Sequence, residues 1–264
     1  MVRQQTLTNL IKIPDTKKIY FLSDAHLGLP PLEKSLEREK LLVRWLNEVS
    51  KDAHSIYLLG DIFDYWFEYR KVVPRGFTRL LGKISEITDS GIPVYFFTGN
   101  HDVWVFDYLP TETGIKVFTK PLRIEINGKK FFIAHGDGLG SYEKGYNIIK
   151  SIFTSRILQW FYARIHPNAS ASFAHAWSMH SRLSKDAFLP FLGEDKEFQI
   201  LYSKEVLKKE HFHFFVYGHR HLPLDIGIGE NSRMICLGDW FYNFTYAVFD
   251  GQEMELKSYP MEKL

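Results

Sequence analysis

Residues 19–26, Ile19-Tyr20-Phe21-Leu22-Ser23-Asp24-Ala25-His26, set an apolar run directly before a cluster of metal-ligating side chains. The arrangement recurs along the chain: Ile56 to Leu59 before Gly60-Asp61, Val94 to Phe97 before Gly99-Asn100-His101-Asp102, Phe131 to Ala134 before His135-Gly136-Asp137, and Phe214 to Tyr217 before Gly218-His219-Arg220-His221. Each run is a continuous β-branched and aromatic segment, as expected of a strand buried on both faces. Polar ligands thus appear where buried strands emerge. In open α/β sheets that carboxyl edge is where residues distant in sequence converge on one crevice.

The segments between these strands fit the same α/β class. Glu33 to Ser50 carries Leu36, Leu41, Leu42, Trp45, Leu46 and Val49 at helix-like intervals, and Phe77 to Thr88 repeats the pattern before Gly91, so the first half reads βαβα. Leu122 to Ile126 and Lys130 to Ala134 flank Asn127-Gly128, the strongest short signal for a tight hairpin. The last region is strand-rich: His213 to Tyr217, Arg233 to Leu237, Phe244 to Phe249 and Met254 to Tyr259, with turns at Gly229 and Asp250-Gly251. Two packed mixed sheets with helices outside accommodate these elements economically.

The donor types define the chemistry. Asp and His in quantity, with Cys236 the single cysteine, suit divalent ions that accept mixed oxygen and nitrogen ligands, Mn2+ first and Fe or Zn as alternatives. An Asp at a strand end can bridge two cations with its two oxygens, and an Asn adds a carbonyl without further negative charge. Two such cations sit roughly 3.5–4 Å apart and clamp the attacking and leaving oxygens of an in-line displacement at phosphorus. A lone His is usually a satisfied structural residue and Gly-Asp pairs commonly mark turns, so each motif alone says little; their joint order carries the reading.

Composition bounds the rest. The 264 residues bury a sizeable core as one domain, 1–264, and 45% hydrophobic with 24% charged residues describes an ordinary globular protein. One cysteine excludes an internal disulfide framework and fits a cytoplasmic protein. Residues 1–18 are polar and interrupted by Pro14, with no apolar region of a signal peptide, and no stretch is apolar enough to span a bilayer. Between residues 140 and 210 strand signals vanish and helix-like runs such as Asn147 to Ile165 take over, giving a helical cap inserted between the His135 and His219 motifs. From Lys144 to Lys185 this insertion holds Lys144, Lys150, Arg156, Arg164, Arg182 and Lys185 and no Asp or Glu. The net charge of +2 hides this cationic segment on a slightly acidic body. The segment also carries Ile148, Ile149, Ile152, Phe153, Ile157, Leu158, Trp160, Phe161, Phe173, Trp177 and Leu183. Packing within the helical subdomain accounts for most of these. A cationic, aromatic-rich cap also suits an anionic amphiphile at a membrane surface. No nucleic-acid motif and no obligate protein partner is evident.

The order Asp-x-His, Gly-Asp, Gly-Asn-His-Asp, His, Gly-His-x-His resembles the calcineurin-like metallophosphoesterase superfamily. The resemblance implies one metal held by Asp24, His26, Asp61 and His221, and a second by Asp61, Asn100, His135 and His219, with Asp61 bridging. It places His101 on the phosphate as a catalytic group, with Asp102 as its orienting partner. Asp64 and Asp137 are candidates either to orient metal-bound imidazoles or to cap turns.

The run Asp61-Ile62-Phe63-Asp64-Tyr65-Trp66, the His135-Gly136-Asp137 motif, the insertion and Leu237-Gly238-Asp239-Trp240 resemble the UDP-2,3-diacylglucosamine pyrophosphatase family of lipid A biosynthesis. That resemblance implies cleavage of a lipid-linked UDP-sugar by metal-activated water, at the cytoplasmic face of the inner membrane. Glu143, Tyr146, Ser181 and Lys185 then match substrate-binding positions of the cap. Two residues depart from the pattern: His101 stands where many members have Arg, and Arg220 where Thr is frequent. The rival readings are a paralogue acting on another nucleotide, phospholipid or small phosphoester, and a non-catalytic scaffold. The full ligand set argues against the scaffold.

Overall fold

The computed structural model describes residues 6–140, 142, 144–173 and 190–260. The motif strands are apolar throughout because each has two buried faces. In β2 (Lys18–Leu22), Ile19 and Phe21 join the core between two sheets, while Tyr20 and Leu22 face the helices. The same alternation places Tyr57 inward and Ile56 and Leu58 outward in β3 (Ala53–Leu58). It places Phe214 and Val216 inward, and Phe215 and Tyr217 outward, in β8 (Phe214–Tyr217).

Alongside β2 and β3, β4 (Val94–Phe97) and β5 (Lys116–Phe118) continue in parallel, with β11 (Thr245–Phe249) and β12 (Met254–Ser258) antiparallel on the other side, in the order β12-β11-β2-β3-β4-β5. The second sheet runs β1 (Thr6–Ile11), β6 (Leu122–Ile126), β7 (Lys129–Ile133), β8, β10 (Ser232–Leu237), β9 (Pro223–Gly229). The β6–β7 hairpin turns through Asn127 and Gly128, at φ 47° and 78°, the left-handed pair that a two-residue turn between twisted strands requires. β1, β5 and β9, short or at sheet edges, were not expected from the sequence, nor was the short helix α3 (Tyr108–Thr113).

Helices α1 (Leu32–Val49) and α2 (Thr78–Asp89) cover the first sheet through Leu41, Leu42, Trp45, Leu46, Leu80, Ile84 and Ile87. Leu36, expected on the apolar face of α1, is 38% exposed, whereas Glu39 is buried. Its carboxylate accepts the N–H groups of Arg79 (3.0 Å) and Leu80 (3.2 Å), satisfying donors that the first turn of α2 leaves open.

The insertion is smaller than the 140–210 span expected from sequence. Helix α6 (Phe198–Leu207) belongs to the body: Ile200 and Val206 pack with Phe132, Phe212, Phe215 and Tyr217 on the outer face of the second sheet. The expected Asn147–Ile165 run divides into α4 (Lys144–Phe153) and α5 (Arg156–Tyr162). These helices rest on an aromatic seam. Trp104 Nε1 donates to the Phe153 carbonyl at 2.8 Å, and Tyr162 packs 4.8 Å from Phe67 and 4.9 Å from Trp104. The outward side is apolar: Ile148, Ile152, Ile157, Trp160 and Phe161 are exposed, and α5 has no buried residue. Internal packing of the described residues therefore does not absorb the apolar side chains, contrary to the expectation for most of them. Among the described residues, no helix is long and apolar enough to cross a membrane.

Candidate metal centre

Both sheets deliver their motifs to one place. Asp24 and His26 follow β2, Asp61 follows β3 and Asn100 follows β4 in the first sheet; His135 follows β7, and His219 and His221 follow β8, in the second. The exits are fastened to each other by backbone bonds from Asp24 N–H to the Gly60 carbonyl (3.0 Å), His26 N–H to that of Asp61 (2.9 Å) and Gly218 N–H to that of His135 (2.8 Å). Five of the seven expected ligand residues adopt left-handed backbone: Asp24 (φ 54°), His26 (42°), Asp61 (52°), His219 (69°) and His221 (52°). Non-glycine residues avoid this region, and such strain collects where the surrounding structure fixes functional side chains.

Two glycines of the motifs are dictated by these contacts. A Cβ on Gly99 would run into the Asp61 carboxylate and lie 2.6 Å from the Asp61 nitrogen, and one on Gly218 would lie 2.5 Å from Asp24 Oδ2. The backbone of one motif lies directly on the carboxylate of another, which leaves no room for a side chain.

The side chains form two groups around Asp61. Asp24, His26 and His221 bring ligand atoms within 4.8 Å of one another, as do Asp61, His135 and His219. Asp24 Oδ1, fully buried, has no hydrogen-bond partner; it lies 3.1 Å from His221 Nε2. His26 Nε2 and His221 Nε2 approach to 3.2 Å. His26 Nδ1 is 3.3 Å from the Asp64 carboxylate, which places its proton there and turns a lone pair on Nε2 toward the group. A buried orphan acceptor beside converging imidazole lone pairs fits a cation. In the second group, His135 Nδ1 donates to the Leu59 carbonyl at 2.6 Å, which leaves Nε2 as the atom available to a cation, 3.5 Å from Asp61 Oδ2 and 3.4 Å from Asn100 Oδ1. Asn100 Oδ1 is also 2.9 Å from His219 Nδ1. Asp61 Oδ2 faces both groups, at 3.8 Å from His26 Nε2, whereas Oδ1 accepts the His101 N–H at 2.8 Å. Oδ2 is thus the carboxylate oxygen of Asp61 left facing the two groups, Oδ1 being taken by the backbone.

The remaining expected residues divide by what they touch. His101, with 18% of its side chain exposed, sits at the mouth; Nδ1 lies 3.0 Å from the Asp64 carbonyl, and its ring packs edge-on 4.7 Å from that of His26. His26, Asp61 and His101 also lie within 4.8 Å through their ligand atoms. Asp102 does not orient His101. Its carboxylate is fully buried and accepts N–H groups from Gly99 (2.7 Å), Ile62 (2.9 Å) and Asp61 (3.2 Å), tying the β3 and β4 exits together. Asp64 takes the orienting role, through its carboxylate on His26 and its carbonyl on His101. Asp137 anchors the cap instead, accepting from Tyr146 Oη (2.5 Å) and Lys150 Nζ (2.6 Å) of α4. Tyr146 also packs 6.1 Å from the His219 ring. Glu143, Ser181 and Lys185 lie outside the described residues. Arg220, the departure in the last motif, makes a bidentate pair with buried Glu197, through Nε at 3.0 Å and an Nη at 2.8 Å, bracing this loop against the start of α6.

The electrostatics express the same demand for cations. Burial disfavours a charge on His135, but the Asp61, Asp24 and Asp137 carboxylates outweigh it and raise its pKa to about 10. Burial likewise opposes ionisation of Asp61, yet the surrounding imidazoles hold its pKa well below the usual carboxylate range. The raised pKa predicts that without cations His135 holds an additional proton at neutral pH, which a bound cation would have to displace. Because its folded pKa is raised, affinity for Mn2+ is expected to increase with pH through the neutral range, by roughly tenfold per pH unit for each proton released. Titration calorimetry at pH 7 in buffers of different ionisation enthalpy measures that release; zero protons released would contradict this charge assignment.

A family model described as calcineurin-like phosphoesterase matches residues 17–223, and the chain belongs to that family. It is a metal-dependent hydrolase. Its relatives narrow the position within the family. The chain is 39% identical to the UDP-2,3-diacylglucosamine hydrolase of Porphyromonas gingivalis, covering 91% of this chain and 97% of the relative. It is 24% identical to the enzyme of the same name from Aeromonas hydrophila, covering 91% and 98%. Among solved structures, a dimetal phosphatase from Danio rerio is 13% identical with a TM-score of 0.40, covering 92% of this chain and 95% of that one.

Proposed function

We propose that the chain hydrolyses the pyrophosphate of UDP-2,3-diacylglucosamine to UMP and 2,3-diacylglucosamine 1-phosphate, a step of lipid A biosynthesis. The observation that carries this reading is two groups of converging Asp and His side chains beside helices whose outward face is apolar and whose charges are cationic. Phosphate-directed chemistry and a receptor for greasy chains thus stand side by side. Two divalent cations, proposed as Mn2+ with Fe or Zn as alternatives, would be held by Asp24, His26, Asp61 and His221 and by Asp61, Asn100, His135 and His219; they supply charge neutralisation at the phosphoryl oxygens and acidify water. His101, its Nδ1 proton held by the Asp64 carbonyl, presents its other nitrogen to protonate the leaving oxygen or to stabilise charge on the phosphoryl group. Asp102 holds the two strand exits together, and Asp137 fixes α4 to the His135 loop through Tyr146 and Lys150.

The experiment is a product-resolved assay with the UDP-lipid beside simple nucleotides and phosphoesters. UMP and the lipid 1-phosphate are the expected products. Preference for another phosphoester would favour the paralogue reading, which the His in place of Arg at position 101 supports.

The substrate's acyl chains sit in a bilayer, so the enzyme is proposed to work peripherally on the anionic cytoplasmic face of the inner membrane. Arg156 and Arg164 are exposed on the cap, and Arg164 lies 4.1 Å over the Trp160 ring. Basic side chains near such a surface contribute about 1 kcal/mol each, so reversing both charges with Arg156→Glu and Arg164→Glu should weaken binding to anionic vesicles by roughly tenfold or more. Turnover of the lipid substrate should fall with it, while a small chromogenic phosphodiester is hydrolysed nearly as before. Unchanged vesicle binding and lipid turnover would leave the cap as an ordinary packed subdomain.

A further inference from the structure

The metal centre has two unlike flanks. The His135–His219 flank is tied to the cap: Asp137, two residues after His135, binds Tyr146 and Lys150 of α4, and Tyr146 packs near the His219 ring. The His26–His221 flank meets a different element, the turn after β10. There Phe241 packs edge-on against both imidazoles, 5.6 Å from His26 and 5.3 Å from His221 between ring centroids. Tyr242 lies 4.6 Å from Phe241 and is 64% exposed.

This turn is built to hold its aromatic residues still. Asp239 is fully buried, and its Oδ1 accepts the N–H groups of Phe241 (2.9 Å), Tyr242 (2.6 Å) and Asn243 (3.0 Å). Trp240 N–H binds the Asp24 carbonyl at 3.0 Å, and Asn243 Nδ2 binds that of His221 at 3.2 Å. The backbone of the turn is therefore fastened to Asp24 and His221, and the Tyr242 ring beside it is largely exposed. Among the described residues the exposed apolar side chains of the cap are aliphatic and aromatic, Trp160, Phe161 and Phe173 among them; here the exposed group is a tyrosine ring tilted 56° against Phe241.

We infer that Phe241 and Tyr242 form the platform on which the nucleobase of the substrate stacks. This rests on the substrate reading given above and adds a direction to it: the nucleoside lies toward the His26–His221 group and the acyl sugar toward the cap. A pyrimidine has a flat π-face and few apolar edges, and stacking on aromatic side chains is the interaction that serves any base without demanding a particular hydrogen-bond pattern. An acyl chain has no such face.

The test compares binding of UMP and ribose 5-phosphate, which differ by the base, to the Mn2+-loaded protein by calorimetry. Wild type should bind UMP the more tightly. Tyr242→Ala should weaken UMP by roughly tenfold, the lower part of the range for one stacked base, leave ribose 5-phosphate where it was, and retain both ions. Tyr242→Phe, which keeps the ring, should behave as wild type. The inference is overturned if Tyr242→Ala leaves UMP affinity intact, or weakens UMP and ribose 5-phosphate equally. It is also overturned if turnover of the UDP-lipid falls while UMP affinity holds, which would assign the ring to the lipid. The substrate reading fails separately: a wild type that leaves UDP-2,3-diacylglucosamine uncut yet loses its preference for UMP on Tyr242→Ala keeps the nucleoside site and refutes the substrate. A wild type that cuts the lipid but shows no Tyr242-dependent preference does the reverse.

Discussion

Asp61→Ala is expected to give a folded protein that retains neither ion through gel filtration and whose turnover falls by on the order of 10³-fold or more, since several kcal/mol of charge stabilisation leave with the cations. The size of the effect follows from the position of one atom. Asp61 Oδ2 lies 3.8 Å from His26 Nε2 and 3.5 Å from His135 Nε2, so both ligand groups lose the same carboxylate. Oδ1 accepts the His101 N–H, so the substitution also releases the turn that carries Asn100 and His101. Asp61→Asn separates these contributions, because an amide oxygen keeps the backbone hydrogen bond and a donor atom but removes the charge. It should retain the fold and the turn, bind metal weakly, and regain part of its activity at high Mn2+. Elemental analysis with circular dichroism settles the matter. Two tightly held ions in a folded, active Asp61→Ala protein would show that another residue bridges.

The strand exits and the residue types that follow them were legible in the sequence because they are written in local pattern. A strand with two buried faces reads as an unbroken apolar run, and the ligand types that follow it are visible as letters: β4 spans Val94–Phe97, as read, and β2, β3, β7 and β8 begin or end within a few residues of the reading. What the sequence does not carry is anything set by the meeting of distant segments. Left-handed backbone at Asp24 or His221 leaves no compositional trace, since neither is glycine. The glycines at 99 and 218 are visible in the sequence, but what requires them, a carboxylate from another motif, is not. Asp102 illustrates the limit best. Beside His101 in the chain, it invited an orienting role, yet the two lie in the bend after β4, where no regular alternation fixes side-chain direction, and the carboxylate went to backbone N–H groups of the β3 exit. The orienting contact comes from Asp64, a residue 37 positions away. The C-terminal limit of the cap was missed for a similar reason: the sequence of α6 has no clear apolar stripe, and only its packing on Phe132 and Phe215 assigns it to the body.

The second large effect separates chemistry from metal binding. His101→Ala is expected to keep both ions and lose roughly 10²–10⁴-fold in turnover, the usual contribution of an acid–base group. The structure frames the test closely, because His101 approaches His26 and Asp61 within 4.8 Å through its ligand atoms and so lies within reach of the first metal position. What distinguishes it is its tether: its Nδ1 is committed to the Asp64 carbonyl, and 18% of its side chain is exposed, against 12% for His221 and 1% for His26 and for His135. A group at the mouth, oriented by a backbone oxygen, suits a role on the substrate rather than in the metal shell. Loss of one ion together with turnover would place His101 among the ligands, and near-normal turnover would remove it from the chemistry. His101→Arg refines the answer, since a guanidinium stabilises phosphoryl charge but cannot surrender a proton at working pH. If His101 serves by charge, the Arg variant recovers most of the turnover that Ala loses; if it serves by proton donation, the Arg variant stays impaired.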